Sequence, residues 1–251
     1  MRALFLIFLI FYGCTGYQYV APAHFVPANH ERDHGVANLS YNTCQIGYAF
    51  SNHFSIYTLF NYRSNYKGIF QNDFSLKDTA GFSKKDEHFQ LDLGITYFNN
   101  FNNYFCFEIL TGLGYGKMNY LNSYHIPGIY DYSLSTKKME YFIQSNFSIR
   151  YKDYIDFSVF SRINCNRYFN IESIYESGLS REMENYDNYF HNRNQADLYF
   201  FEPGFQLRFG LKQIKLFVQL ANSFEINTSE IFFNRTRWYA GVSCSFNLIK
   251  D

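Results

Sequence analysis

The sequence predicts an all-β protein: an antiparallel up-and-down transmembrane β-barrel of about ten strands, with eight or twelve strands as the alternatives. Three observations predict this fold class. Apolar and polar residues alternate after Gly35, the connections between alternating runs are short and long in turn, and aromatic residues make up 22% of the chain. Alternation with period two is typical of half-buried strands. Short turns on one side and long loops on the other are the pattern of outer-membrane barrels.

Composition narrows the class of protein further. The chain of 251 residues holds 30 Phe, 24 Tyr and one Trp, yet its mean hydropathy is −0.29. The 22 basic and 22 acidic residues give a formal net charge of zero. This balance argues against a nucleic-acid partner, since proteins of that kind carry a basic patch or stripe. The abundance of aromatic residues argues against a disordered chain.

Residues 1–13 predict a signal peptide. An arginine follows the initiator methionine, and the stretch 3–12 is apolar without a break. Such a run is too short for a transmembrane helix, which needs about 20 apolar residues, and it fits the apolar region of a secretory signal. Cys14 follows at once, and we expect cleavage before it and lipidation of its thiol. The alternative is cleavage a few residues later, which would discard Cys14.

The remaining chain divides into a tether and a barrel. Residues 14–34 show no periodicity and contain Pro22 and Pro27, so they predict an extended periplasmic tether. Residues 35–251 form the predicted barrel domain. Its ten predicted strands are 35–41, 43–50, 54–63, 87–98, 103–117, 138–151, 154–167, 196–210, 214–225 and 236–248. One bent strand is the alternative for the first two.

The connections set the orientation of the barrel. The short ones are 51–53, 99–102, 152–153 and 211–213. The long ones are 64–86, 118–137, 168–195 and 226–235. An even number of strands brings both termini to the short-turn side. In an outer-membrane barrel this side is periplasmic.

Glycine decides which face of the barrel points inward. The polar face of the strands carries eight glycines, which are Gly47, Gly94, Gly112, Gly114, Gly116, Gly204, Gly210 and Gly241. A barrel of about ten strands has a narrow interior that bulky side chains overfill. The polar face is therefore predicted inside and the aromatic face outside, against lipid. Tyr57 is an exception, because it lies on the polar side of its strand.

The inward face also carries charged residues that are expected to pair. Charges removed from bulk water need an opposite charge and hydrogen bonds. We therefore predict a network of ion pairs that fills the lumen, and the alternative is a narrow porin-like channel lined by the same charges. The five acids and six bases are Arg63, Asp92, Glu108, Glu140, Arg150, Asp156, Arg162, Glu202, Arg208, Lys215 and Arg237.

The chain resembles the small outer-membrane β-barrel lipoproteins of Gram-negative bacteria. The residues that carry the resemblance are Gly13-Cys14, the tether stretch Tyr19-Val20-Ala21-Pro22, Pro27, Gly35, and the hairpin from Gln45 to Phe50 through Ser51-Asn52-His53 into Phe54-Ser55-Ile56. The resemblance implies insertion into outer-membrane lipid, with the barrel-assembly machinery as a partner. It implies no catalytic residue and no cofactor.

The residues also suggest two other functions. An outer-membrane enzyme acting on lipid or peptide would use His88, Ser223 and Glu225 near the upper strand ends, but no nucleophile, metal or phosphate-binding motif accompanies them. A surface-binding protein would take an extracellular ligand at loops 64–86 and 168–195, whose Tyr and Asn content suits adaptable contacts. The cysteines after Cys14 show no zinc spacing. We therefore favour a non-enzymatic barrel with a structural or surface-interaction role.

Overall fold

The structure, a computed structural model, describes residues 31–69, 82–102, 104–124, 132–152, 154–175, 197–227 and 236–247. The predicted signal peptide 1–13, Cys14 and most of the tether lie outside the described residues. Among the residues that are described, no helix is long and apolar enough to cross a bilayer.

Eleven β-segments follow one another along the chain. They are β1 His34–Ser40, β2 Thr43–Ala49, β3 Phe54–Ile69, β4 Phe82–Asn100, β5 Phe105–Tyr124, β6 Tyr132–Tyr151, β7 Ile155–Tyr175, β8 Asp197–Gly210, β9 Ile214–Asn222, β10 Phe224–Glu225 and β11 Thr236–Asn247. The short β10 continues β9 past Ser223, and both segments pair with β8. The eleven segments therefore make ten strands.

The strands close into a barrel. From β1 to β9, each strand pairs antiparallel with its neighbours in sequence, and β9 pairs with β11. The circle closes where β1 pairs with β11, from His34 opposite Asn247 to Ser40 opposite Gly241. The described residues thus form a closed antiparallel barrel of ten strands, which confirms the all-β barrel and its strand count.

Strands β3 to β7 are longer than the sequence predicted. The stretches 64–69 and 82–86 pair with each other although both were assigned to a loop. Likewise β5 continues to Tyr124 and β7 to Tyr175. Polarity does not alternate in these stretches, as Lys84 and Lys85 followed by Asp86 and Glu87 illustrate. The sequence signal for a strand is lost where both faces are polar, although the backbone pairs regularly.

The two faces of the wall differ sharply. Outward positions are apolar and exposed, such as Leu93 at 57% and Trp238 at 57% of their full accessible surface. Inward positions are polar and buried, such as Asp92 and Glu140 at 0%. This is the arrangement that the glycine argument predicts.

The lumen also holds aromatic rings, which the sequence had assigned almost entirely to the outside. Four of these rings stand directly opposite a glycine on the next strand, whereas the buried rings of Phe98, Tyr168 and Phe200 do not. A Cβ atom at Gly94 or Gly112 would lie 2.6 or 2.7 Å from the ring it faces. The missing side chain leaves the room that the ring fills. Four such pairs occur among the described residues: Tyr57–Gly94, Phe142–Gly112, Phe160–Gly204 and Phe217–Gly241.

Replacing Gly112 with Ala is expected to destabilise the barrel by about 1–3 kcal/mol, because the new methyl group collides with the Leu93 carbonyl oxygen and with the Phe142 ring. The midpoint of denaturant unfolding of the refolded barrel measures this. Leu113→Val, on the exposed outer face one residue away, is the matched control and is expected to stay close to the parent stability. Equal midpoints for Gly112→Ala and the parent would contradict the packing of ring on glycine.

Candidate functional site

A guanidinium group at the centre of the lumen joins three strands. Arg162 of β7 is 1% exposed, and its Nη2 lies 3.2 Å from Asp92 Oδ2 of β4. The same nitrogen donates to Glu140 Oε1 of β6. The Phe142 ring packs against the guanidinium, with 3.7 Å between the ring centroid and the Cζ atom. Arg162 therefore has two carboxylate partners and an aromatic one in the barrel interior.

Two further side chains complete this central cluster, which we define as Gln90, Asp92, Lys138, Glu140 and Arg162. Lys138 Nζ lies 3.1 Å from Glu140 Oε2. Gln90 Nε2 donates to Asp92 Oδ1 at 2.8 Å and to Glu140 Oε2 at 2.9 Å. Two cations balance two carboxylates, so the cluster is neutral. A buried network of this kind is stable only when its members satisfy one another.

A chain of amides links the central cluster to the neighbouring strands β7 and β8. Lys138 Nζ donates to Asn166 Oδ1 at 3.3 Å, and Asn166 Nδ2 donates to Asn164 Oδ1 at 2.9 Å. Asn164 Nδ2 then donates to Glu202 Oε2 of β8 at 2.9 Å. Ser223, between β9 and β10, donates its hydroxyl to Glu202 Oε1 at 2.7 Å. Polar contacts thus follow the inner wall from β6 through β7 and β8 to the end of β9.

A second group of charges lies towards the short-turn end of the lumen. Asp156 of β7 accepts from Lys215 Nζ at 2.7 Å and from Arg150 Nε at 3.3 Å. Arg208 of β8 is buried and stands opposite Asp156 in the register. Three bases from β6, β8 and β9 therefore surround one carboxylate.

Three more of the predicted lumen charges lie on β3, β5 and β11. Glu108 accepts from Asn146 Nδ2 at 3.0 Å. Arg63 is partly exposed on β3, opposite His88 of β4, and Arg237 is buried on β11. The structure therefore brings Asp92, Glu140 and Arg162 together in one place and Arg150, Asp156 and Lys215 in another.

Sequence reasoning missed Lys138 and the lumen amides. Lys138 sits two residues before Glu140, so period two places both on one face, and that spacing was the available signal. The predicted strand began at residue 138, whereas β6 begins at Tyr132. The amides Gln90, Asn164 and Asn166 carry no charge, and alternation alone could not mark them as bridges.

The residues considered for catalysis do not meet as a triad in the described contacts. Ser223 donates to the Glu202 carboxylate, while His88 is buried on β4, between Arg63 of β3 and Met118 of β5 in the register. No group of three or more His, Cys, Asp or Glu side chains within the described ranges could hold a metal ion. Cys44, Cys106, Cys165 and Cys244 are free thiols.

An exposed ion pair marks the long-loop side of the outer wall. Arg167 of β7 donates from Nε and Nη2 to the two oxygens of Asp197 of β8, at 2.7 and 2.8 Å. The hydrogen bonds from this guanidinium hold the pKa of Asp197 below its ordinary value. Below this pair, outward positions of β7 are mostly apolar, and the first of them is Ile155.

Comparison with known protein-family models and with curated protein sequences finds no match for this chain.

The central cluster leaves no room for water around its carboxylates. Asp92, Glu140 and Glu202 are 0% exposed, and Arg162 and Gln144 are each 1% exposed. A side chain that lines an open aqueous pore would contact water over part of its surface. At this level of the barrel the described side chains therefore fill the interior.

Arg162→Met removes the shared guanidinium and is expected to lower the free energy of unfolding by about 3–5 kcal/mol. Asp92 loses its ion pair, and Glu140 loses one of its two ion pairs. Denaturant unfolding of the refolded barrel measures the loss. The double variant Asp92→Asn/Arg162→Met keeps the Lys138–Glu140 pair and is expected to recover part of the stability. Ile163→Val on the outer face serves as the control. A single variant as stable as the parent would refute the shared ion pair.

Proposed function

We propose that this protein is a non-enzymatic barrel that spans the outer membrane of a Gram-negative bacterium, with a sealed lumen and a structural or surface-interaction role. One observation carries the proposal. The wall is apolar where it meets the surroundings and polar where it meets the interior, which is the reverse of a water-soluble barrel. A closed barrel leaves no backbone group unpaired in lipid.

The height of the apolar belt supports membrane insertion. On β7 the outward positions run from Ile155 to Cys165, and Arg167 with its exposed ion pair follows. Ten residues at about 3.3 Å each, tilted by roughly 35–45°, span about 25 Å, the height of the apolar band in such barrels. Tyr151 and Tyr154, 62% and 57% exposed, lie at the lower boundary where aromatic girdles occur.

The short turns are proposed to face the periplasm. Both chain ends of the barrel, at β1 and β11, emerge on the side of the short turns, so N-terminus and C-terminus would be periplasmic. In this orientation Cys14 would carry the lipid at the start of the tether, and the barrel-assembly machinery would insert the chain. The resemblance to outer-membrane lipoproteins supports this placement.

The filled lumen favours a scaffold over the porin-like alternative. The buried central cluster supports this choice, since Asp92 and Glu140 are 0% exposed and Arg162 is 1% exposed. The role at the cell surface then falls to the long-loop side, where loops 64–86 and 168–195 were predicted to take an extracellular ligand. No observation favours the enzyme alternative.

Membrane insertion is tested by cell fractionation. We expect the protein in the outer-membrane fraction, with electrophoretic mobility that changes on heating, because a folded barrel resists detergent until heated. Cys14→Ser is the matched variant: it is expected to lose palmitate labelling and to keep the heat-modifiable barrel in the membrane. Recovery of the parent as a soluble periplasmic protein would refute the membrane proposal.

The sealed lumen is tested by conductance in planar bilayers. We expect no sustained nanosiemens-scale openings from the parent barrel, because side chains fill its interior. The triple variant Asp92→Ala/Glu140→Ala/Arg162→Ala empties the central cluster and is expected to add a steady leak. Sustained openings of the parent would establish the porin-like alternative.

A further inference from the structure

Strand β3 continues well beyond its neighbour β2. It has 16 residues and pairs with β4 along its whole length, to Ile69. On the other side its pairing with β2 ends at Asn61. The last backbone bond on that side runs from the Tyr62 N–H to the Asn42 carbonyl at 2.9 Å. Beyond it, β3 is the edge of the sheet formed by the described strands.

The backbone groups at this edge face away from β4. Because N–H and C=O groups alternate in direction along a strand, those of Ser64, Tyr66 and Gly68 point to the same side as those of Tyr62. No strand of the described part of the chain pairs with them on this side. A row of such groups is a template for an added strand.

The other long edge is blunted, and this contrast singles out β3. Strand β7 also outlasts its neighbour β8, whose pairing with it ends at Arg167. However, the β6–β7 register shifts between Ser135 and Lys137, and Asn170 has a φ of 49°. Bulges of this kind bend an edge and protect it from further pairing. The register of β3 with β4 runs without a shift to Ile69.

We propose that an extended, acidic segment of another protein adds to β3 as an antiparallel strand beside Ser64–Ile69. The charges of the edge select the partner. The stretch 63–69 contains two bases, Arg63 and Lys67, and no acid. The paired stretch 82–88 of β4 adds two bases and two acids, so the two stretches together carry a formal net charge of +2, which favours an acidic partner.

A second copy fits this edge less well than a foreign segment. Two barrels inserted in the same orientation in one membrane would bring their β3 strands together in parallel. The basic stretch 63–69 of one copy would then lie beside the same basic stretch of the other. Parallel pairing is slightly less stable per residue than antiparallel pairing. This step rests on the proposed membrane placement, whereas the pairing edge and its charge do not.

The test uses the full-length refolded barrel in detergent micelles. The probe is a fluorescein-labelled eight-residue peptide of alternating Thr and Glu, compared with one of alternating Thr and Lys. Fluorescence anisotropy is expected to show binding of the acidic peptide. Tyr66→Pro removes an edge-facing N–H and keeps the β4 side, so affinity is expected to fall at least about tenfold. Tyr66→Phe keeps the backbone and is the matched control.

Reversing the charge gives a second, independent variant. Lys67→Glu is expected to weaken binding of the acidic peptide several-fold and to strengthen binding of the basic one. This variant decides the test if Tyr66→Pro fails to fold. Strand addition is overturned if neither peptide binds, if both bind the parent equally, or if Tyr66→Pro binds like the parent. A dimer in sedimentation that Tyr66→Pro dissociates would overturn it in favour of a second copy. Peptide binding by a protein that fractionates as soluble would overturn the membrane placement and support the edge.

Discussion

The guanidinium of Arg162, shared between Asp92 and Glu140, is the interaction on which the lumen depends. It joins β7 to β4 and β6, across 70 and 22 residues of sequence. Because buried charges are costly without partners, the ion pairs fix the stagger of these strands. A slip of one of these strands by one residue would turn its charge to the outer wall and leave its partners unpaired. The same cluster occupies the space that a channel would need.

Glycine and aromatic rings solve the remaining problem of filling a narrow interior. Polar side chains alone would leave gaps beside the backbone, and rings alone would overfill the barrel. Opposite Gly112, Phe142 packs over bare backbone and also supports the Arg162 guanidinium. The ring–glycine pairs and the ion pairs are therefore parts of one packing arrangement. The many polar residues of the inner wall lower the mean hydropathy of a chain that has 22% aromatic residues.

The differences in strand length give the molecule two unequal sides. Strands β3 to β7 rise beyond the apolar belt, while β1 and β2 have only seven residues each. The sequence did not reveal this tall part, since alternation exists only where one face is apolar. Backbone pairing needs no such pattern, so 64–69 and 82–86 form a hairpin stem that reads as a loop. The surface role proposed for this side therefore begins from an ordered sheet.

The sequence by itself determined the all-β class and the faces of the wall, favoured ten strands over eight or twelve, and predicted which charges point inward. These follow from period two and from the volume of glycine against phenylalanine, both of which are local properties. Only the tertiary structure decided that Arg162 meets Asp92, that Lys138 joins Glu140, and that four lumen rings pack opposite glycines. The reason is the stagger between strands: alternation assigns a residue to a face, whereas the closure of the barrel sets the height at which it meets a partner.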